Sequence, residues 1–223
     1  MDWHQMERNF SAARIGRYKV ARGGDRVLAV SDYSRNLHLA ESMMPMLNVL
    51  EVGLRNALYE RLACLYRRED WWVEWSGRSE FARLSRSVEE AKSKLTTRRE
   101  RVIPDKVLAE LTFGFWCTLF NASYQGELWK ELRLAFPACP RDERKRRTVC
   151  GALNQVRALR NRVFHHEPLL WMKPNLSEQH GKGVMVVGWI DPALAAWLAR
   201  HDRFPDIWPD GPRSCMDRSD GAW

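Results

Sequence analysis

The chain has 223 residues, 45% of them apolar, which is enough for one large domain with a sizeable core. Its formal net charge of +8 points to an anionic partner, nucleic acid being the commonest. No apolar run approaches the roughly 18 residues that mark a membrane helix, and Met1-Asp2-Trp3-His4-Gln5-Met6-Glu7-Arg8 lacks the pattern of a secretory signal, so a cytoplasmic protein with no membrane partner is expected.

Phe10 to Val20 reads as a short helix with Ser11 as its N-cap and Gly23-Gly24 as its stop. Asp25 caps the next element. From Arg26 to about Tyr66 the chain is helical in character, with Pro45 expected to divide or kink it, because proline removes a helix hydrogen bond. After Pro45, Leu47, Leu50, Leu54, Leu58, Leu62 and Leu65 recur at spacings of three and four, a core-facing stripe. Trp71-Trp72-Val73-Glu74-Trp75 reads as a lid on that core more readily than as a base-stacking platform. Ser79 to Arg101 and Pro104 to Leu111 are helical, Phe113 to Phe120 is apolar enough to be buried, and Glu127 to Phe136 is one more helix before Pro137 and Pro140.

Arg141 to about His165 is the second strong helix, with Val149, Leu153, Val156, Leu159 and Val163 on its apolar face. Pro168 forces its end, since the residue before a proline avoids helical angles. Gly183 to Ile190 is β-like by its valine content and reads as a short strand or extended loop. Asp191-Pro192 starts a last helix that runs to about His201. From Asp202 the chain reads as a mobile tail unless Trp208 docks. The reading is thus all-α: one helical bundle over 1–201 with a small C-terminal appendage, then a tail over 202–223.

The five cysteines, Cys64, Cys117, Cys139, Cys150 and Cys215, form no CxxC pair, so reduced thiols are expected rather than a metal site or disulfide framework. No cofactor-binding fingerprint is present. Charge, by contrast, is concentrated. Between Arg141 and His166, Arg141, Arg144, Lys145, Arg146, Arg147, Arg157, Arg160 and Arg162 face only Asp142 and Glu143. These residues suit a nucleic-acid backbone, although a solvated charge run accounts for Arg144 to Arg147 equally well.

Two clusters could carry chemistry. In Arg160-Asn161-Arg162-Val163-Phe164-His165-His166-Glu167-Pro168, Asn161 and His165 share a helix face. His165 falls at the helix end, where the macrodipole favours a cationic ring. Arg160 lies about 140° from His165 on an ideal helix, so the two converge on one phosphate only if the helix loosens there. In Leu50-Glu51-Val52-Gly53-Leu54-Arg55-Asn56, Glu51 and Arg55 border the leucine stripe. They suit either a surface pair or a carboxylate that holds a histidine of another helix and fixes its tautomer.

Arg160-Asn161 with His165 resembles the ribonuclease motif of HEPN domains, an arginine and asparagine followed by a histidine. The wording from Leu159 to His166 is similar to the Abi-like, or abortive infection, family in particular. Asp32-Tyr33-Ser34-Arg35-Asn36 followed by Leu50 to Asn56 resembles that family's "YxxN … LEVxLRN" pattern, and the likeness spans roughly Phe10 to Trp171. The resemblance implies a helical homodimer whose motif regions face each other across a cleft. It implies a metal-independent RNA endonuclease or an RNA-binding relative that has lost activity. Carried over by position, Arg160 and His165 form the catalytic pair, Asn161 orients them and Glu51 is the supporting acid. His166, Arg55 and Asn56 are supporting candidates. Arg144, Lys145, Arg146, Arg147, Arg157 and Arg162 are candidates for RNA contact. A regulatory protein is expected to restrain such an activity, or a phage-derived trigger to release it.

Overall fold

The fold is described from a computed structural model covering residues 2–208. It is all-helical, with no strand among the described residues. In chain order the helices are α1 (Trp3–Phe10), α2 (Ala12–Ala21), α3 (Arg26–Tyr66), α4 (Ala82–Thr97), α5 (Pro104–Glu110), α6 (Phe113–Thr118), α7 (Gln125–Leu132), α8 (Arg146–Phe164), α9 (Leu176–Ile190), α10 (Pro192–Leu198) and α11 (Phe204–Ile207). Short 3-10 turns join several of them. No helix among the described residues is long and apolar enough to cross a membrane.

The axis of the bundle is α3, 41 residues and about 60 Å long at 1.5 Å per residue. Asp25 starts it by accepting hydrogen bonds from the N–H groups of Val27 and Leu28 at 2.8 and 3.0 Å. Arg67 ends it in a left-handed conformation. The helix runs through Pro45 and is not divided there. Met43, Met46, Leu47, Val49 and Leu50 are buried around the proline, so packing on both sides holds the helix together despite the lost hydrogen bond. The leucine stripe is buried from Leu47 to Leu62 and half-buried at Leu65.

Helix α8 packs its expected face inward: Val149, Leu153, Val156, Leu159 and Val163 are all buried. Between α3 and α8 lies α9, the segment expected to be extended over Gly183 to Ile190. It is helical because Leu176, Gln179, His180, Gly183, Val186 and Val187 bury at helical spacing, which overrides valine's local preference for strands. Gly183 permits that packing, since a Cβ there would sit 2.2 Å from Sδ of the buried Met46.

The ordered domain also extends past residue 201. His180 Nε2 lies 2.9 Å from Asp202 Oδ2, although the carboxylate is off the ring N–H direction and makes no aligned hydrogen bond. Phe204 stacks on the His180 ring, and Trp208 is buried beneath the Arg35 guanidinium. The tail expected over 202–223 therefore does not begin before Trp208. Its remainder, 209–223, and Cys215 lie outside the described residues.

At the other end, Trp71, Trp72, Trp75, Phe81, Phe115, Trp116 and Tyr124 are all buried. Trp75 stacks on Phe81 with ring centroids 5.0 Å apart, and its indole N–H donates to the Tyr66 hydroxyl at 3.0 Å. That hydroxyl donates to Glu127 at 2.5 Å, and Glu127 also pairs with Arg78. These aromatics close the core, as the sequence led one to expect.

Candidate functional site at the carboxyl end of α8

Helix α8 keeps its regular ladder to the last turn, where the His165 N–H donates to the Asn161 carbonyl at 2.9 Å. It then stops in a Schellman cap. The His166 N–H reaches the Val163 carbonyl at 3.1 Å, and the Glu167 N–H reaches the Arg162 carbonyl at 2.9 Å. The left-handed position of this motif ordinarily holds glycine, yet here it is His166, with φ 56°. In place of the usual apolar contact across the cap, Arg162 Nε lies 3.5 Å from Glu167 Oε2. Arg162 also donates to the Pro168 carbonyl at 3.3 Å.

The loop after the cap is held from two sides. Buried Asn36 on α3 donates to the Glu167 carbonyl at 3.3 Å and accepts the Leu169 N–H at 2.7 Å. Arg14 on α2 donates to the His166 carbonyl at 2.7 Å and reaches that of His165 at 3.5 Å. Tyr18, packed edge-on to Tyr33 and tilted against Trp171, supports the same region, and burial holds its phenol well above the usual tyrosine range. His165 and His166 are thus exposed rings on a fixed backbone. With Ser11, Ala13, Arg14, Arg17, Glu167 and Pro168 they line a hollow of about 280 Å³. Ser11, like His166, has a positive φ, 69°. Two non-glycine residues in this region beside one hollow are a form of strain that gathers at functional sites.

Arg160 faces elsewhere. Its Nε is 3.7 Å from Glu51 Oε2 on α3, and its guanidinium lies over the Phe164 ring, 4.2 Å from the centroid. The structure thus brings Glu51 to Arg160 and not to a histidine. Because α8 does not loosen before Phe164, Arg160 and His165 stay about 140° apart within one chain, and Arg160 does not line the hollow. Asn161 is exposed between them. Phe164, 45% exposed, gives an apolar surface directly beside Arg160. Arg55 donates to its neighbour Asn56 at 3.3 Å and pairs with no carboxylate among the described residues, so neither joins the Arg160–Glu51 pair.

The basic residues separate into engaged and unengaged groups. Arg144 donates to the carbonyls of Pro137 and Cys139 at 2.7 Å, and Arg146 to Gln125 Oε1 and the Phe120 carbonyl at 2.7 and 2.8 Å. Arg144 holds the turn before α8, and Arg146 ties the start of α8 to the segment leading into α7. Lys145 and Arg147 are exposed and line a shallow hollow with Trp129. Arg157 lines a different hollow with Arg83, Thr112, Gly114 and Thr118. Arg14 and Arg17 were not among the residues expected from sequence. They belong to no motif, and only the docking of α2 against the end of α8 reveals them. Among the described residues no cluster of three His, Cys, Asp or Glu side chains is placed to hold a metal ion.

No family model matches the chain, and neither the curated proteins nor the solved structures include a match.

Proposed function

We propose that this protein is a metal-independent RNA endonuclease of the HEPN type, acting in the cytoplasm in phage defence, by abortive infection, or as a toxin. The observation that carries the reading is the pairing of the two motif-bearing segments: Glu51 of α3 meets Arg160 of α8, while Asn36 of the first pattern clamps the loop behind His165 and His166. RNA supplies its own nucleophile. His165 takes the 2′-OH proton as the oxygen attacks phosphorus, histidine being the side chain that exchanges protons near neutral pH. Arg160 offers a planar donor fork to the phosphorane oxygens. The P–O5′ bond breaks and the 5′-oxygen takes a proton from water, giving a 2′,3′-cyclic phosphate and a 5′-OH. Since Arg160 and His165 diverge within one chain, a homodimer is the arrangement that lets them share a phosphate, and the exposed Phe164 ring beside Arg160 supports a protein contact there.

The test is cleavage of total cellular RNA in EDTA by wild type and His165→Ala, with product ends mapped. Cleavage by wild type alone with cyclic phosphate ends supports the reading, and equal behaviour of the two proteins removes His165 from the chemistry. The divergence of Arg160 and His165 also favours a second reading, an RNA-binding protein without activity. That reading predicts salt-sensitive RNA binding that survives His165→Ala and Arg160→Ala, with no cleavage by wild type.

A further inference from the structure

The carboxyl end of a helix carries roughly half a negative charge on its free carbonyls, which repels anions. At the end of α8 a cation stands against this charge: Arg14 Nη1 donates to the His166 carbonyl just past the helix at 2.7 Å and reaches that of His165 at 3.5 Å. Among the described residues, Nε and Nη2 of Arg14 have no acceptor, so the rest of its fork is available. Arg17, one turn along α2, is exposed in the same hollow and makes no ion pair among the described residues. Glu167 is the one carboxylate in the lining, and Arg162 lies 3.5 Å from it. The hollow, about 280 Å³, has room for several waters at about 30 Å³ each, and so for a phosphodiester group.

We propose that this hollow is a phosphate subsite for single-stranded RNA, in which Arg17 and the free donors of Arg14 hold one phosphodiester beside His165 and His166. The inference rests on the RNA reading above for the polyanion and adds α2 to the residues that contact it. Arginine suits the task because its fork meets two phosphate oxygens at once. Arg14 has a second role as a positioning residue, through the carbonyls it holds.

The experiment measures binding of a fluorescein-labelled 2′-O-methyl oligo-uridylate, which lacks the attacking hydroxyl, across a salt series. Loss of one phosphate contact in Arg17→Ala weakens binding and lowers the slope of log K against log salt by about 0.7, while Arg17→Lys keeps the slope. Unchanged affinity and slope in Arg17→Ala overturns the subsite, as does equal loss in Arg17→Lys. Binding of inorganic phosphate with none of the oligonucleotide overturns it too. Cleavage by wild type together with an unchanged Arg17→Ala slope removes the subsite and leaves the nuclease. An Arg17-dependent slope in a protein that cleaves nothing does the reverse.

Discussion

The tryptophan end of the molecule and the carboxyl end of α8 both hold residues typical of functional sites, yet they use them in opposite ways. Trp71, Trp75, Phe81 and Trp116 are fully buried and packed ring on ring, so none is accessible to a base. At the end of α8, the backbone of His165 and His166 is tied down by Arg14 and Asn36 while the rings face outward. Aromatic content alone therefore does not locate a nucleic-acid surface. What separates the two regions is whether the side chains or only the backbone are engaged.

Substitutions sharpen that contrast. Trp116→Ala, at a fully buried position, is expected to cost about 3–5 kcal/mol in urea unfolding. A cost under about 1 kcal/mol would place this residue with the surface substitutions instead. Asn36→Ala leaves the Leu169 N–H without its acceptor and should cost about 1–3 kcal/mol, with faster amide exchange at Leu169. Unaltered exchange there would mean that Asn36 is not the clamp.

His180 tests the buried class by pH. Burial outweighs the nearby Asp202 carboxylate and holds the ring below the ordinary histidine value. The folded state thus favours the neutral ring. The associated stability is complete above the unfolded value of about 6.5 and is lost as pH falls through it toward the folded value. His180→Phe is expected to flatten the pH dependence of unfolding in that window. An equal slope in both proteins would assign it to other groups.

The smallest effect on stability is expected for Glu51→Gln. Both Glu51 and Arg160 are about one-third exposed, so solvent screening limits the pair to about 0–1 kcal/mol. If Glu51 positions Arg160 for RNA cleavage, the same change lowers the cleavage rate roughly 100-fold. A large loss of stability with normal cleavage would make the pair purely structural.

Much of the fold was legible because α3 and α8 each bury one regular stripe, from Leu47 to Leu62 and from Val149 to Val163. Helix α9 was not, because its inward face includes Gln179, His180 and Gly183, which do not register as an apolar pattern. Pro45 misled for a different reason: its local cost is visible in sequence, while the packing that opposes it is not. The site divides in the same way. The pairing of Glu51 with the Arg160 segment could be anticipated from two local motifs, but its actual partner, an arginine and not a histidine, depends on the rotation of α8. Arg14 and Arg17 were silent because their significance comes from a distant loop.

That distance has a consequence for synthesis. Arg14 and His166 are 152 residues apart. A ribosome adding about 5–20 residues per second completes α2 roughly eight to thirty seconds before it makes the loop that α2 clasps. Throughout that interval the nascent chain lacks the hollow. On the nuclease reading, the RNA nearest to it is the message being translated, and the stretch that encodes residues 1–165 passes through the decoding site before any subsite exists to hold it.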